Sequence, residues 1–486
     1  MKNVTSNISV KKNFALSTAY QILTLLTPFI TAPYVSRVLG ADGIGIYSYT
    51  CSIQMYFSMF AALGTMSYGA REIARARNDR ERFSQLFWEI ESLAVLSSLF
   101  CILLWGIWIY FQTQYQIVYL VLTMALVGTM LDISWFFTGL EQFKYIVIRN
   151  TIVKIAGIAL LFIFIREKDD LVLYIFLMTL TNLLGIMSMW MYIPNMVQRP
   201  DLKNFKILPH FRETLVYFIP TIAASLYTIL NKVLIGAIGN DPKENGYYEQ
   251  ADKIINMAKM LAFVALNSVM GARMSYLFAK KKEEEIRSRI DRSIDYVLFM
   301  GLGLVFGLIG IAPRFVPWFF GPDFKTTAGL IQMLCPIILI IGISNVLGSH
   351  YYTPAGLRAK SARYLIYGAV ANLCISYFLI SRYNSYGAVV SSLTAELLVT
   401  ILYVYNSNGY LRLYILYKHG WKKMIAGGAM LILMMSIDKT IANNTLAVLC
   451  EFLMGGLIYC IILLVIKDTF VLYMAEQISK RIKKHK

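Results

Sequence analysis

The sequence predicts an all-α integral membrane protein of about fourteen transmembrane helices, and three observations carry that prediction. First, 57% of the 486 residues are hydrophobic and only 15% are charged. Soluble domains run at about 45–50% and roughly 25%. The mean hydropathy is +0.58. That is too little charge to clothe a water-facing surface, so the surplus apolar surface must meet lipid. Second, apolar stretches of about 20 residues, enough to span a bilayer as helix, recur along the whole chain. Third, the basic residues gather in alternate connections between those stretches.

Six spans are expected in the first part of the chain, at 13–36, 44–68, 86–111, 115–138, 145–165 and 171–193. Six follow at 214–239, 248–272, 294–319, 326–350, 363–381 and 387–406. Two more lie at 421–440 and 446–466. The segment 248–272 is the most charged of these, with Glu249, Asp252, Lys253 and Lys259. The N-terminal MKNVTSNISVKKNF is basic and leads into an apolar run reaching Ser36. That run is longer than a signal-peptide core and has no small-residue cleavage site, so it reads as the first span.

With the N-terminus inside, the inner connections hold 34 of the 46 Lys and Arg residues. The outer side holds seven: Arg37, Arg166, Lys168, Lys243, Lys325, Arg382 and Lys439. The positive-inside rule therefore places both termini in the cytoplasm. The formal net charge of +18 is explained by this topology, and no nucleic-acid module accompanies it. The basic tail RIKKHK is expected against anionic lipid.

A short internal match suggests duplication. Gly45-Ile46-Tyr47 and Gly246-Tyr247-Tyr248 lie 201 residues apart, as do the expected helix starts at 13 and 214. Six helices followed by six imply parallel, pseudo-symmetric lobes. The expected organisation is an N-terminal six-helix lobe at 1–213, a C-terminal six-helix lobe at 214–406, and two further helices with a basic tail at 407–486.

Charges inside a bilayer cost about 2.5–3.5 kcal/mol each on insertion scales and mark cavities, pairs or pathways. Lys154 and Lys259 lie near mid-helix, and Lys232 and Lys253 in outer halves of their spans. With Arg37 they are the candidates for a cationic, substrate-binding cavity. The competing reading is internal pairing, such as Asp252 with Lys253 or Lys259, and snorkelling for Arg37 and Arg314 near helix ends. The acids Asp132, Asp252, Glu396 and Glu451 are candidates for ion coupling or for pairing; Asp132, Glu396 and Glu451 are expected within helices. Glu89 and Glu91 are two apart on a helix, point different ways, and are placed near the cytoplasmic mouth. The run Lys280-Lys281-Lys282-Glu283-Glu284-Glu285 reads as a solvated loop or helix extension.

Prolines interrupt the first span (Pro28, Pro33), the seventh (Pro220), the ninth (Pro313, Pro317) and the tenth (Pro336). Kinks there are either static or, in the first helix of each lobe, part of gating. No phosphate loop or nucleophile elbow is present. The six cysteines form no paired motif and the four histidines are far apart, so neither a metal nor a cofactor is expected.

Five segments together resemble a known family: TAPYVSRVLGADGIGIYSYT, YGAREIARARNDRERFSQLFWEI, DISWFFTGLEQFKYIVIRNTIVKI, YTILNKVLIGAIG with GYYEQADKI, and YGAVVSSLTAEL. They are similar to bacterial Wzx-type lipid-linked oligosaccharide flippases, the polysaccharide-transporter branch of the multidrug/oligosaccharidyl-lipid/polysaccharide exporter superfamily. The resemblance runs from about residue 10 to 465. It implies fourteen helices in two lobes around a central cavity. It also implies a polyprenyl-diphosphate-linked oligosaccharide moved from the inner to the outer leaflet of the bacterial cytoplasmic membrane. H+ or Na+ as coupling ion, membrane lipid and other polysaccharide assembly proteins are the further partners expected. Two positions depart from the family: Asn231 stands where Asp is common, and Ala272 where Pro is common. The first removes a pairing acid beside Lys232.

Two other functions compete. A drug or cation exporter of the same superfamily would want an acid in the first helix, which has none, and the intramembrane excess here is basic. A membrane-bound glycan polymerase would want a large outer loop, and an acyltransferase would have only His350 to offer.

Overall fold

The computed structural model describes residues 10–484 apart from Asn240 and Ala442, and omits the side chains of a further set that includes 10–22, 219–221 and 478–484. Pro220, Ala272 and the basic tail thus fall outside the described side chains. Among the described residues there is helix and no strand, as a chain with no water to satisfy its backbone requires.

The helices fall into two compact units, Met1–Val233 and Leu234–Lys486. The first contains α1 (Val10–Ala62), α2 (Thr65–Ala76), α3 (Arg80–Phe111), α4 (Gln116–Met130), α5 (Ser134–Gly139), α6 (Phe143–Phe164), α7 (Leu171–Ser188) and the short α8 (Ile193–Met196). It also holds most of α9 (Leu208–Ile238). The second contains α10 (Pro242–Ala279), α11 (Glu283–Phe320), α12 (Lys325–Leu334), α13 (Pro336–Leu347), α14 (Arg358–Tyr405), α15 (Leu413–Thr440), α16 (Asn444–Val465) and α17 (Thr469–Lys484).

Eight helices among the described residues are long and apolar enough to cross a membrane. A ninth is the pair around Pro336, whose halves meet at 42°. Each of the fourteen segments named above lies largely on helix. Two of the longest elements are broken where the sequence separates spans. Gly40 takes φ 69°, the left-handed region open to glycine, and divides α1. Asn384 takes φ 47° and divides α14. Asn tolerates that region better than most residues, and the second half then starts on a cap: the Ser385 amide and hydroxyl both donate to Glu244. Pro28 and Pro33 lie within the helical run of α1.

The outer faces are apolar too. Along α3, Leu96, Leu99, Phe100, Leu103, Ile107 and Phe111 form an exposed stripe, while Phe87, Ile90 and Trp105 on the other faces are buried. A helix apolar on every side belongs in lipid. In the first unit an aromatic cluster of Phe87, Trp135, Phe136 and Phe137 fills the space between α2, α3 and α5. Gly69 allows α2 to lie against the Trp135 ring: a Cβ there would come within 2.5 Å of it.

The connection after α8 is strapped to α3. Arg80 donates to the Met196 and Asn195 carbonyls at 3.2 and 3.0 Å. The Trp88 indole donates to the Gln198 carbonyl at 2.9 Å, and Gln85 accepts from the Asp201 amide at 2.8 Å. The strap ends in a buried relay in which His210 bridges the Tyr68 hydroxyl (2.7 Å) and the Glu89 carboxylate (2.8 Å).

Candidate functional site

Lys154 sits near the middle of α6, on the wall of a cavity of about 190 Å³ in the N-terminal unit. Thr27, Thr31, Gly157, Tyr174 and Thr181 line the same space. Its ammonium donates to the Thr24 hydroxyl at 2.7 Å. Thr24, Thr27 and Thr31 follow the i, i+3, i+7 spacing that sets residues on one helix face. Thr27 and Thr31 donate back to the Leu23 and Thr27 carbonyls at 2.7 and 3.0 Å. Those hydroxyls keep acceptor lone pairs. The wall is therefore a cation set among hydroxyls, able to meet a hydrated anion. Gly157 leaves α6 open on this side: a Cβ there would meet nothing nearer than the Met178 thioether at 3.7 Å. Further along α1, the Tyr34 hydroxyl donates to the Ile165 carbonyl at 2.6 Å and its ring meets Phe162.

The other candidates are dispersed. Arg37 is exposed on α1, and Lys232 is half-buried on α9. On α10, Lys253 faces Glu249 one turn back, at 3.8 Å. Its expected partner Asp252 lies on the same helix, half-buried. Lys259 is within electrostatic reach of Glu396 on α14, which joins one candidate cation to one candidate acid in the C-terminal unit. Glu451 is 1% exposed on α16. It lines an apolar groove of about 440 Å³ with Met300, Gly303, Leu304, Met430 and Tyr459.

Asp132 is a correction. It was expected inside a helix, but it occupies the break between α4 and α5. There its carboxylate accepts from the Ser134 amide at 2.9 Å and from the Ser134 hydroxyl, capping α5. Short acidic side chains favour such caps over helix interiors, because they bond the backbone locally. Arg149 on α6 stands 3.8 Å from the same carboxylate and donates to the Ser134 hydroxyl at 3.0 Å. Glu89 and Glu91 do diverge: Glu89 turns to His210, while Glu91 is 3% exposed among the aromatic cluster.

Sequence reasoning missed a second buried cation. Lys423 looked like part of a basic inner connection, yet it is 0% exposed. It donates to Asp295 on α11 at 2.6 Å and to Asp468, just before α17, at 2.8 Å. His419 joins the group, within 3.2 Å of Asp291 and 3.4 Å of Asp295. The signal was present as a lone acid at the start of an apolar run, with a lysine at the start of another.

Among the described residues, no group of His, Cys, Asp and Glu is arranged to hold a metal ion.

Comparison with known proteins gives this geometry its family. A family model described as "Polysaccharide biosynthesis protein" matches residues 10–275. A "Putative O-antigen transporter" of Shigella dysenteriae is 25% identical over 398 residues, covering 81% of this chain and 98% of that one. A protein of the same description from Escherichia coli K12 is 23% identical, covering 82% and 96%. Among solved structures, "Lipid II flippase MurJ, inward closed conformation" is similar with a TM-score of 0.70 at 14% identity, covering 93% of this chain and 97% of that one. An inward-facing multidrug transporter of the MOP superfamily gives 0.59 at 11% identity. With more than half of its length matched by the family model, the chain is a multi-span membrane protein that belongs to the polysaccharide biosynthesis protein family.

Proposed function

We propose that this chain is a flippase that moves a polyprenyl-diphosphate-linked oligosaccharide from the inner to the outer leaflet of a bacterial cytoplasmic membrane, by alternating access and without chemistry on the substrate. The observation that carries the reading is Lys154: a cation at mid-helix on the wall of a cavity that Thr27, Thr31 and Thr181 share with apolar side chains such as Val153 and Met178. A lipid diphosphate bears about two negative charges and a hydrated glycan, and neither enters hydrocarbon without such company. The apolar groove beside α11, α15 and α16 is of a kind to accept a prenyl chain. The full-length coverage of the O-antigen transporter relatives supports the same substrate class.

Outward movement of negative charge runs with an inside-negative potential. Each charge gains about 2.3 kcal/mol per 100 mV, and two uncompensated charges gain roughly 4–5 kcal/mol. That is enough to drive net export without nucleotide hydrolysis. In this reading the chain comprises two six-helix lobes, at 1–213 and 214–406, and two added helices at 407–486, with both termini cytoplasmic.

The test is the intermediate that accumulates. Deleting the chain from its host should leave complete lipid-linked repeat units on the cytoplasmic leaflet. Single units accumulating on the outer leaflet would instead mark a polymerase and sink the proposal.

A further inference from the structure

Glu91 is the most unusual acid in the N-terminal unit. It lies on α3 with 3% exposure, and neither carboxylate oxygen accepts a hydrogen bond. The Trp135 indole N–H lies beside it and likewise closes no hydrogen bond. Trp135 cannot swing away: its ring is held between Gly69 on one side and the Phe87 ring, stacked at 5.7 Å, on the other. Two buried polar groups therefore face each other unsatisfied inside an aromatic core, where an unpaired charge is costly.

The surrounding charges decide what Glu91 holds. From the α4–α5 break, Asp132 acts on it as a like charge. Asp132 accepts from the Ser134 amide and hydroxyl and faces Arg149 on α6. On α3 itself Glu89 is turned to His210. On α2 Glu72 is tied to Arg71 and Arg75. An unpaired carboxylate is costly there, and one bound proton makes Glu91 neutral. A metal cation would need about six oxygen ligands, and the hydrophobic cluster that α3 and α5 form here, with Phe87, Ile90 and Trp135 among its members, is apolar.

We propose that Glu91 is a proton-carrying site, neutral when α3 and α5 are packed as seen here, with the Asp132–Arg149 pair as its electrostatic partner. Release of the proton would leave a buried Glu91 carboxylate beside the like charge of the half-buried Asp132 at the α4–α5 break, so proton occupancy is tied to how α3 packs there. This rests on the flippase reading for its role in transport, and it names the coupling ion as H+ and its site as Glu91.

The site is testable without any substrate. Infrared difference spectra of the purified full-length protein at neutral pH should contain a protonated-carboxyl band. Glu91→Gln should remove a component of that band that Glu89→Gln keeps. Asp132→Asn gives an independent check and leaves Glu91 in place. With the like charge of Asp132 removed, Glu91 holds its proton less firmly, so the band should weaken. In vesicles, an imposed pH gradient should change the rate of lipid-linked oligosaccharide movement in the wild type. In Glu91→Gln the rates with and without the gradient should be equal. A band unchanged in both Glu91→Gln and Asp132→Asn would overturn the proposal, as would a gradient response that follows sodium instead of protons. Expected spectra with no glycan-lipid movement in the wild type would overturn the flippase reading and leave the proton site standing.

Discussion

Two lysines, one in each unit, sit in apolar helical surroundings and have opposite neighbours. Lys423 is fully buried, with Asp295 at 2.6 Å and Asp468 at 2.8 Å. Lys154 lines a cavity and donates to the Thr24 hydroxyl at 2.7 Å. A cation enclosed by fixed carboxylates binds helices to one another, here α11, α15 and the start of α17. A cation on a cavity wall, bonded to a hydroxyl, faces space that a ligand can enter. Buried charge alone therefore does not mark a site; the chemistry of its neighbours does.

The largest effect expected from this contrast is on stability at Lys423. Lys423→Met leaves two carboxylates buried together, and breaking a buried pair costs about 3–5 kcal/mol. Thermal unfolding in detergent should show a strong drop, and adding Asp295→Asn and Asp468→Asn should recover much of it. Unaltered unfolding in the single variant would mean that the cluster is not structural.

The next largest is steric. Gly427 has the Phe306 ring 2.2 Å from where its Cβ would stand. Gly427→Leu overpacks the contact between α11 and α15 and should cost about 1–3 kcal/mol, read in the same unfolding measurement.

A comparable but local effect is expected at the strap. His210→Ala leaves Tyr68 and Glu89 without their shared partner, a loss of about 1–3 kcal/mol for buried polar groups. Hydrogen exchange should accelerate over 194–213 while the core of α3 keeps its protection. Uniform acceleration across the unit would show that His210 supports the whole packing rather than the strap.

How much of this could be read in advance follows the physics of each feature. The helices were legible because apolar length is a composition signal, and the breaks at Gly40 and Asn384 fell between expected spans. Lys154 was legible as a charge out of place. The threonines around it were not, because a hydroxyl in an apolar helix usually bonds its own backbone, as Thr27 and Thr31 also do. Asp132 was misplaced because hydropathy cannot see a one-residue cap inside an apolar run. The Lys423 cluster joins residues 128 and 45 positions apart, a distance that no local pattern spans. Glu91 was visible as an acid, but its lack of a partner is a property of the packed core.

The smallest stability effect is expected at Lys154, and the largest functional one. Lys154→Ala removes an ammonium–hydroxyl hydrogen bond of about 1.5–3 kcal/mol and also a charge inside the membrane that costs about 2.5–3.5 kcal/mol on insertion scales, so the two offset and unfolding should barely move. In vesicles carrying a labelled lipid-linked oligosaccharide, the same change should slow leaflet-to-leaflet movement about tenfold or more, the scale of one lost charge-assisted contact of about 1.5–3 kcal/mol. Lys154→Arg should keep part of the rate. Wild-type rates in a well-folded Lys154→Ala protein would contradict the account.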